Sequence, residues 1–152
     1  MLRQVAFAFV LMALVAPAYA TDTANNAADA ANKASLTVKV ENVSAKGGEI
    51  RIGLYDGQKF VTKGAKPDAG KIVPATPGET IITVRDIVPG DYGVKVFQDE
   101  NKNGKIDTNF IGLPVEPYGF SHDAKLKMGL PAFDAVRVAL KPGENTITIT
   151  LQ

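Results

Sequence analysis

The sequence contains no cysteine and a single histidine, His122. The absence of cysteine excludes disulfides, thiolate metal ligands, thiol nucleophiles, cysteine redox chemistry and a lipid-modified cysteine anchor. A zinc site built from several histidines is excluded as well, because it needs more than one imidazole. The stability of the fold must therefore come from packing, from a bound metal ion, or from both.

The chain also lacks an excess of charge of either sign. It has 17 Lys+Arg and 16 Asp+Glu, which gives a formal net charge of +1. Removal of residues 1–20, which contain Arg3 and no acidic residue, would reduce this net charge to zero. Nucleic acid and anionic membranes recruit proteins through basic patches. Neither is expected to be the main partner.

Residues 1–20, MLRQVAFAFVLMALVAPAYA, are predicted to be a secretory signal peptide. Arg3 supplies the positive start, the apolar run 5–16 is shorter than the roughly 20 residues of a membrane span, and residues 18–20 (Ala-Tyr-Ala) suit cleavage. An uncleaved membrane anchor is the alternative. The protein is therefore expected to be exported, periplasmic or secreted, with no membrane span after cleavage of the signal.

Residues 21–34 are predicted to be a disordered linker, with a frayed helix as the alternative. The segment is rich in Ala, Asn and Asp and has no large apolar side chain that could order it. Residues 35–152 are predicted to form one domain, since their length is typical of a single core.

Alternation of apolar and polar residues predicts six strands in residues 35–152. The first two are expected to pair as a hairpin across the Lys46-Gly47-Gly48 turn. Two long connections, 56–79 and 107–133, separate the later strands, and a seventh strand is expected if one of them hides it. Phe60 and Val61 are expected to anchor the first connection to the core. The pattern predicts an all-β, antiparallel Ig-like sandwich of about seven strands, with a closed barrel as the alternative.

The run 99–107, DENKNGKID, has the ligand spacing of a calcium loop. Its first six residues fit D-x-[DN]-x-[DN]-G, in which alternate side chains converge on one cation and the glycine permits a sharp bend. No helices flank the run, and its twelfth position is Phe110 where an EF-hand has a bidentate glutamate. The missing carboxylate is expected from Glu116, less well from Asp123, or water fills its place. The predicted oxygen donors are Asp99, Asn101, Asn103, the carbonyl of Lys105, Asp107 and Glu116.

A plain hairpin turn is the alternative, since Asn-Gly between two β-runs is by itself a strong turn signal. It explains Asn103 and Gly104, but it does not explain the positions of Asp99, Asn101 and Asp107. Two lysines within the run offset the charge of its carboxylates. Structural Ca²⁺ is therefore expected to bind weakly, with a Kd of about 10⁻⁴–10⁻³ M, and Mg²⁺ less well.

The connection 110–133 is too apolar to be left in water and is expected to cover the end of the sandwich, with a ligand groove as the alternative. Its run Ser121-His122-Asp123 has the three residue types of a catalytic triad but not the geometry, because three consecutive side chains do not converge as a relay. The enzyme alternative is a small hydrolase or ligand-processing enzyme with its site under this connection. Its candidate residues are Glu116, Tyr118, His122 and Asp123.

The run VPGDYGVKVFQDENKNGKID, followed by TNFIGLPVEPYGFSHDA, resembles the small exported bacterial proteins of domain-of-unknown-function family 2141. The similarity extends over nearly all of the chain after Ala34 and is most specific in residues 90–107 and 116–121. The resemblance implies an exported β-sandwich domain without an established activity. The strand and loop are also similar to surface-protein B-type repeats and to prealbumin-like envelope modules, some of which bind calcium structurally.

These observations predict a non-catalytic exported envelope or binding domain, stabilised by a calcium-type loop at residues 99–107. Its expected partner is another protein, a peptide or an envelope glycan, and no nucleic acid is expected to bind.

Overall fold

The structure is a computed structural model that describes residues 32–152. The predicted signal peptide, residues 1–20, and residues 21–31 of the predicted linker lie outside the described residues. The first strand begins at Ala34, one residue before the predicted start of the domain. Ala34 is buried and packs in the core.

Residues 32–152 contain eight strands and only very short helices, which confirms the all-β prediction. Helix α1 spans Gly57–Val61, helix α2 spans Phe133–Val136, and a 3-10 turn occupies Ser121–Asp123. No helix among these residues is long and apolar enough to cross a membrane. The strands are β1 (Ala34–Val43), β2 (Glu49–Tyr55), β3 (Ala69–Pro74), β4 (Gly78–Ile87), β5 (Gly90–Asp99), β6 (Tyr118–Phe120), β7 (Arg137–Leu140) and β8 (Gly143–Thr150).

The strands form two sheets, one of three strands in the order β4-β1-β8 and one of five that contains β3-β2-β5-β6 and β7. Strands β7 and β6 lie one after the other along the same edge of β5, whose other edge pairs with β2. Strands β1 and β8 run parallel. The prediction of a wholly antiparallel sandwich is therefore wrong. The cause is the connection from β7 to β8, which crosses between the sheets and so does not impose the antiparallel direction of a hairpin.

The predicted hairpin between β1 and β2 is wrong as well, since the two strands lie in different sheets. The connection 44–48 crosses from one sheet to the other. The fully buried side chain of Gln98 holds it there, accepting from Ser44 N at 2.8 Å and donating to Ser44 O at 2.9 Å and to Gly47 O at 2.7 Å. These bonds satisfy backbone groups that a hairpin would have paired within one ladder.

The apolar positions predicted from alternation form one core between the two sheets. Each fully buried aliphatic side chain contributes about 1.5–3 kcal/mol to the stability of the fold, so this shared core is the main source of stability. The strand side chains that are completely or almost completely buried in this core include Leu36, Val38, Val40, Ile50, Ile52, Leu54, Ile82, Val84, Val94, Val96 and Ile149.

Both long connections contain a strand, which raises the count from about seven to eight. The connection 56–79 holds α1 and β3, and 107–133 holds β6. Phe60 is fully buried, as predicted, whereas the prediction for Val61 is wrong because 57% of its surface is exposed. Phe60 forms a second small core with Phe120 and Val136, which packs α1 and α2 against β6 of the five-stranded sheet.

Candidate functional site

The predicted metal loop begins at Asp99, the last residue of β5, whose side chain is completely buried. Its Oδ2 accepts hydrogen bonds from Arg51 Nε at 2.7 Å and from Gly104 N at 2.8 Å, and its Oδ1 accepts from Asn103 N at 3.0 Å. Arg51 stands on the adjacent strand β2 and also pairs with Glu49 at 3.1 Å. One cation and two backbone N–H groups thus fix this carboxylate.

Burial opposes ionisation of Asp99, but the bonds from the N–H groups of Gly104 and Asn103 and from the Arg51 guanidinium outweigh it. Together they hold the pKa of this carboxyl below its ordinary value of 3.8. Asp99 is therefore a carboxylate throughout the neutral range.

The side chains of Asn101, Asn103 and Asp107 lie together on the outer part of the loop. Asp107 Oδ2 accepts from Asn101 Nδ2 at 2.6 Å, and its Oδ1 accepts from Asn103 Nδ2 at 2.9 Å. The two amide oxygens accept from the N–H groups of Asn103 and Lys105, each at 3.0 Å. The loop therefore brings together four of the predicted metal ligands, and Asn103 is hydrogen-bonded to both Asp99 and Asp107.

Glu116 lies across the two ends of the loop. Its Oε1 accepts from Glu100 N at 2.8 Å and its Oε2 accepts from Asp107 N at 2.9 Å, and the residue is buried. Because both oxygens bind backbone, Glu116 joins the ends of the loop and does not contact the side-chain cluster through hydrogen bonds. Asp123, the weaker candidate, lies against β8, where its Oδ1 accepts from Thr150 N at 2.7 Å.

The oxygen atoms of the loop 99–107 suit a hard cation that binds with modest affinity. Among residues 32–152, no three acidic or histidine side chains form a group that could hold a metal ion. A cation would depend on amide and carbonyl oxygens beside the carboxylates of Asp99 and Asp107, a donor set that suits Ca²⁺ better than transition metals. Both amide oxygens would have to give up a backbone hydrogen bond, and Arg51 adds a positive charge nearby. Each effect weakens cation binding.

A cavity of about 1000 Å³ lies on the face of the five-stranded sheet that points away from the core. Its floor includes Arg51, Lys95 and Phe97, and its roof includes Ile106 and Leu126 from the segment that follows β5. The connection 110–133 was expected to cover the end of the sandwich, with a groove as the alternative. Residues of this connection line the cavity, which favours the groove. The expectation that its apolar side chains are kept out of water is wrong for Phe110 and Ile111, whose surfaces are 100% and 64% exposed.

The side chains named for the hydrolase alternative have structural partners. Both oxygens of Glu116 bind backbone, His122 Nε2 lies 3.0 Å from Arg137 O, and Asp123 binds β8. Ser121 Oγ is buried and donates to the carbonyl of Val136. Tyr118 lines the cavity and stacks edge-on against Phe120. The hydrolase alternative stays a prediction.

A family model described as an uncharacterized protein conserved in bacteria (DUF2141) matches residues 38–148. The chain belongs to this family. The match spans the sheet strands, the loop 99–107 and the connection over the cavity, and it confirms the resemblance seen in the sequence. No curated protein and no solved structure matches the chain. The DUF2141 description assigns no activity.

Two residues of the DUF2141 chain that matter here were not singled out by sequence reasoning. Arg51 pairs with the buried carboxylate of the loop, and Lys95 stands on the cavity floor. Both occupy the polar half of an alternating strand, which by itself predicts only a solvated face. The available signal was the mixture of basic, aromatic and glycine residues on that face of β2 and β5.

Proposed function

We propose that this DUF2141 member is a non-catalytic exported domain of the bacterial envelope whose loop 99–107 takes up Ca²⁺ as a structural ion. One observation carries the proposal. Side chains at the spacing of a calcium loop lie in a single cluster, and the hydrogen bonds to the Asp107 side chain come from the amides of Asn101 and Asn103. A cation there would neutralise the carboxylate of Asp107, which the two amides only hydrogen-bond.

The donors proposed for the ion are the side-chain oxygens of Asp99, Asn101, Asn103 and Asp107 and the carbonyl of Lys105. When bound, Ca²⁺ supplies positive charge that joins the end of β5 to the following connection. Glu116 was predicted as a ligand, but its contacts suit a different role: it fixes the two backbone ends between which the ion would sit. The ion would serve as a cross-link in a chain that has no cysteine.

The wider role proposed is that of an Ig-like or prealbumin-like sandwich that binds another protein, a peptide or an envelope glycan. Two sheets that share one core support the sandwich. The pattern of residues 1–20 supports export, which places the domain where calcium is available.

Export predicts a mature chain that begins at Thr21. N-terminal sequencing of the protein recovered from the periplasm or medium checks this, because retention of Met1 there would contradict cleavage after Ala20.

Calcium is expected to raise the melting temperature of the mature chain. At a free concentration about tenfold above Kd, ligand linkage adds about 1.4 kcal/mol. For a domain of this size that corresponds to a rise of about 3–6 °C. The rise is measured by differential scanning calorimetry, with chelator as the reference state and Mg²⁺ as the second cation. Mg²⁺ is expected to produce a much smaller rise, because it demands a stricter octahedron and holds its water.

The control is Asp107→Asn, which removes one carboxylate while keeping a side chain of the same shape. Its melting temperature is expected to be nearly independent of calcium. If chelator and saturating calcium give the same melt for the unmodified chain, the calcium proposal is wrong.

A further inference from the structure

The cavity on the outer face of the five-stranded sheet has a floor with two distinct halves. In one cross-strand row, Gly70, Gly53, Lys95 and Phe120 stand side by side. In the next row, an apolar or aromatic residue stands on three strands: Ile72 on β3, Phe97 on β5 and Tyr118 on β6, with Arg51 between them. The floor therefore has one long cationic side chain beside two glycines, followed by a mainly apolar stretch.

Gly53 and Gly70 form the part of the cavity floor on one side of Lys95. The ring of Tyr55 lies across Gly53, where an added Cβ would come within 2.7 Å of it. An added Cβ on Gly70 would lie 2.6 Å from the carbonyl oxygen of Ile52. The Tyr55 ring therefore occupies the space above Gly53, and neither glycine adds a side chain of its own to the cavity floor.

The charges that line the cavity have one sign. Its lining in the described part of the chain includes Arg51, Lys63, Lys71 and Lys95 but no aspartate or glutamate. Arg51 is neutralised by Asp99 and Glu49. Lys71 is exposed on β3, whereas Lys95 is half-buried. Lys63 is exposed. Lys95 is thus the cation that an incoming anion would meet within the cavity.

The ammonium group of Lys95 is held without a carboxylate. Its Nζ donates to the carbonyl of Phe60 at 2.7 Å and lies 4.6 Å from the ring centroid of Tyr55 and 4.5 Å from that of Phe60. Among residues 32–152 it takes part in no ion pair. Burial lowers the pKa of Lys95 below its ordinary value. A cation desolvated in this way is stabilised by any anion that enters.

We propose that this cavity binds a small amphiphile with one anionic head group, a carboxylate, whose head pairs with Lys95 Nζ and whose apolar chain lies between Phe97, Tyr118 and the roof residues Ile106 and Leu126. The cavity volume of about 1000 Å³ lies at the upper end of the range of small-molecule sites, and the cavity combines a mainly apolar lining with the half-buried cation of Lys95. This inference does not rest on the calcium proposal.

The test is isothermal titration calorimetry of the mature chain with laurate, kept below its micelle concentration and with chelator present so that calcium plays no part. Laurate is expected to bind one to one. Dodecanol, which has the same chain and no charge, is expected to bind about ten- to hundredfold more weakly, and dodecylammonium not at all.

Three variants locate the site. Lys95→Met removes the charge beside Tyr55 and Phe60 but keeps a long unbranched side chain, and it should weaken laurate binding about ten- to hundredfold while leaving dodecanol binding unchanged. Lys66→Met, an exposed lysine outside the cavity, should bind laurate normally. Ile72→Trp should fill the cavity and reduce the binding of both ligands.

Absence of laurate binding to the folded unmodified chain overturns the proposal, and so does normal laurate binding by folded Lys95→Met. If Lys95→Met does not fold, the unmodified chain still decides, because equal affinity for laurate and dodecanol would exclude a charged head-group site. If calcium does not raise the melting temperature while laurate still binds, only the structural-ion proposal is refuted.

Discussion

Replacing Asp99 with alanine is expected to lower the free energy of unfolding by about 3–5 kcal/mol, measured by urea denaturation with chelator present. The variant removes a completely buried carboxylate and leaves the N–H group of Gly104 without its acceptor, while that of Asn103 keeps only the bond to Asn101 Oδ1. It also takes from Arg51 the closer of its two carboxylate partners. The loss of a buried, multiply bonded carboxylate and a poorly compensated charge are among the costliest defects in a folded protein.

The exposed pair Asp91–Arg137 provides a matched control, with 3.7 Å between nitrogen and oxygen and both side chains about half exposed. Asp91→Ala is expected to cost at most about 1 kcal/mol, since exposed ion pairs contribute little. The double variant Asp99→Leu with Arg51→Met should lose less than the sum of the single variants, because both charges leave together. A loss for Asp99→Ala as small as that for Asp91→Ala would refute the buried pair as an organiser of the loop.

The same pair gives the fold a defined pH dependence. The pKa of Asp99 in the folded chain lies below its ordinary value of 3.8. Its contribution to the free energy of unfolding is therefore fully present above pH 3.8 and is lost as the pH falls through the folded pKa. The stability difference between the unmodified chain and Asp99→Ala is therefore expected to be largest at neutral pH and to shrink in acid. A difference that stayed constant down to strongly acidic pH would contradict the assignment.

Replacing Phe60 with alanine is also expected to cost about 3–5 kcal/mol, again measured by urea denaturation. The ring is completely buried, and its centroid lies 6.1 Å from that of Phe120 and 6.2 Å from that of Phe133. It also packs over Gly93, where an added Cβ would lie 2.5 Å from the ring. The cavity left behind would loosen α1 and α2 from β5.

Val61→Ala is the control one position along, since Val61 is largely exposed and its truncation should change stability by less than about 0.5 kcal/mol. If Phe60→Ala changed stability no more than Val61→Ala does, the second core would not be part of the cooperative fold.

Alternation in the sequence predicted which side chains face the core, because a strand's period of two assigns each residue to a face. It could not predict which strands are neighbours. The parallel pairing of β1 with β8 joins residues about a hundred positions apart, and the alternation within each strand is the same for any partner. The crossing at residues 44–48 depends on Gln98, whose sequence distance from that turn hides the contact.

The loop was predictable in part for a similar reason. The spacing of Asp99, Asn101, Asn103 and Asp107 is local, and the structure brings these residues together. Arg51 lies on another strand, so its pairing with Asp99 could not be read from the run itself. Glu116 was predicted near the loop and lies there, yet its proximity did not reveal that its oxygens bind backbone. The cavity was unpredictable because roof and floor come from separate segments.

The most direct test of the structural-ion proposal is a calcium titration of the isotope-labelled mature chain, followed by NMR through the backbone amides. The backbone amide signals of Asn103, Gly104 and Lys105 are expected to change chemical shift in a saturable way, with a Kd of about 10⁻⁴–10⁻³ M. In Asp107→Asn the same signals are expected to show no change. Amides in the loop that do not move at any millimolar calcium concentration, or that move equally in Asp107→Asn, would contradict it.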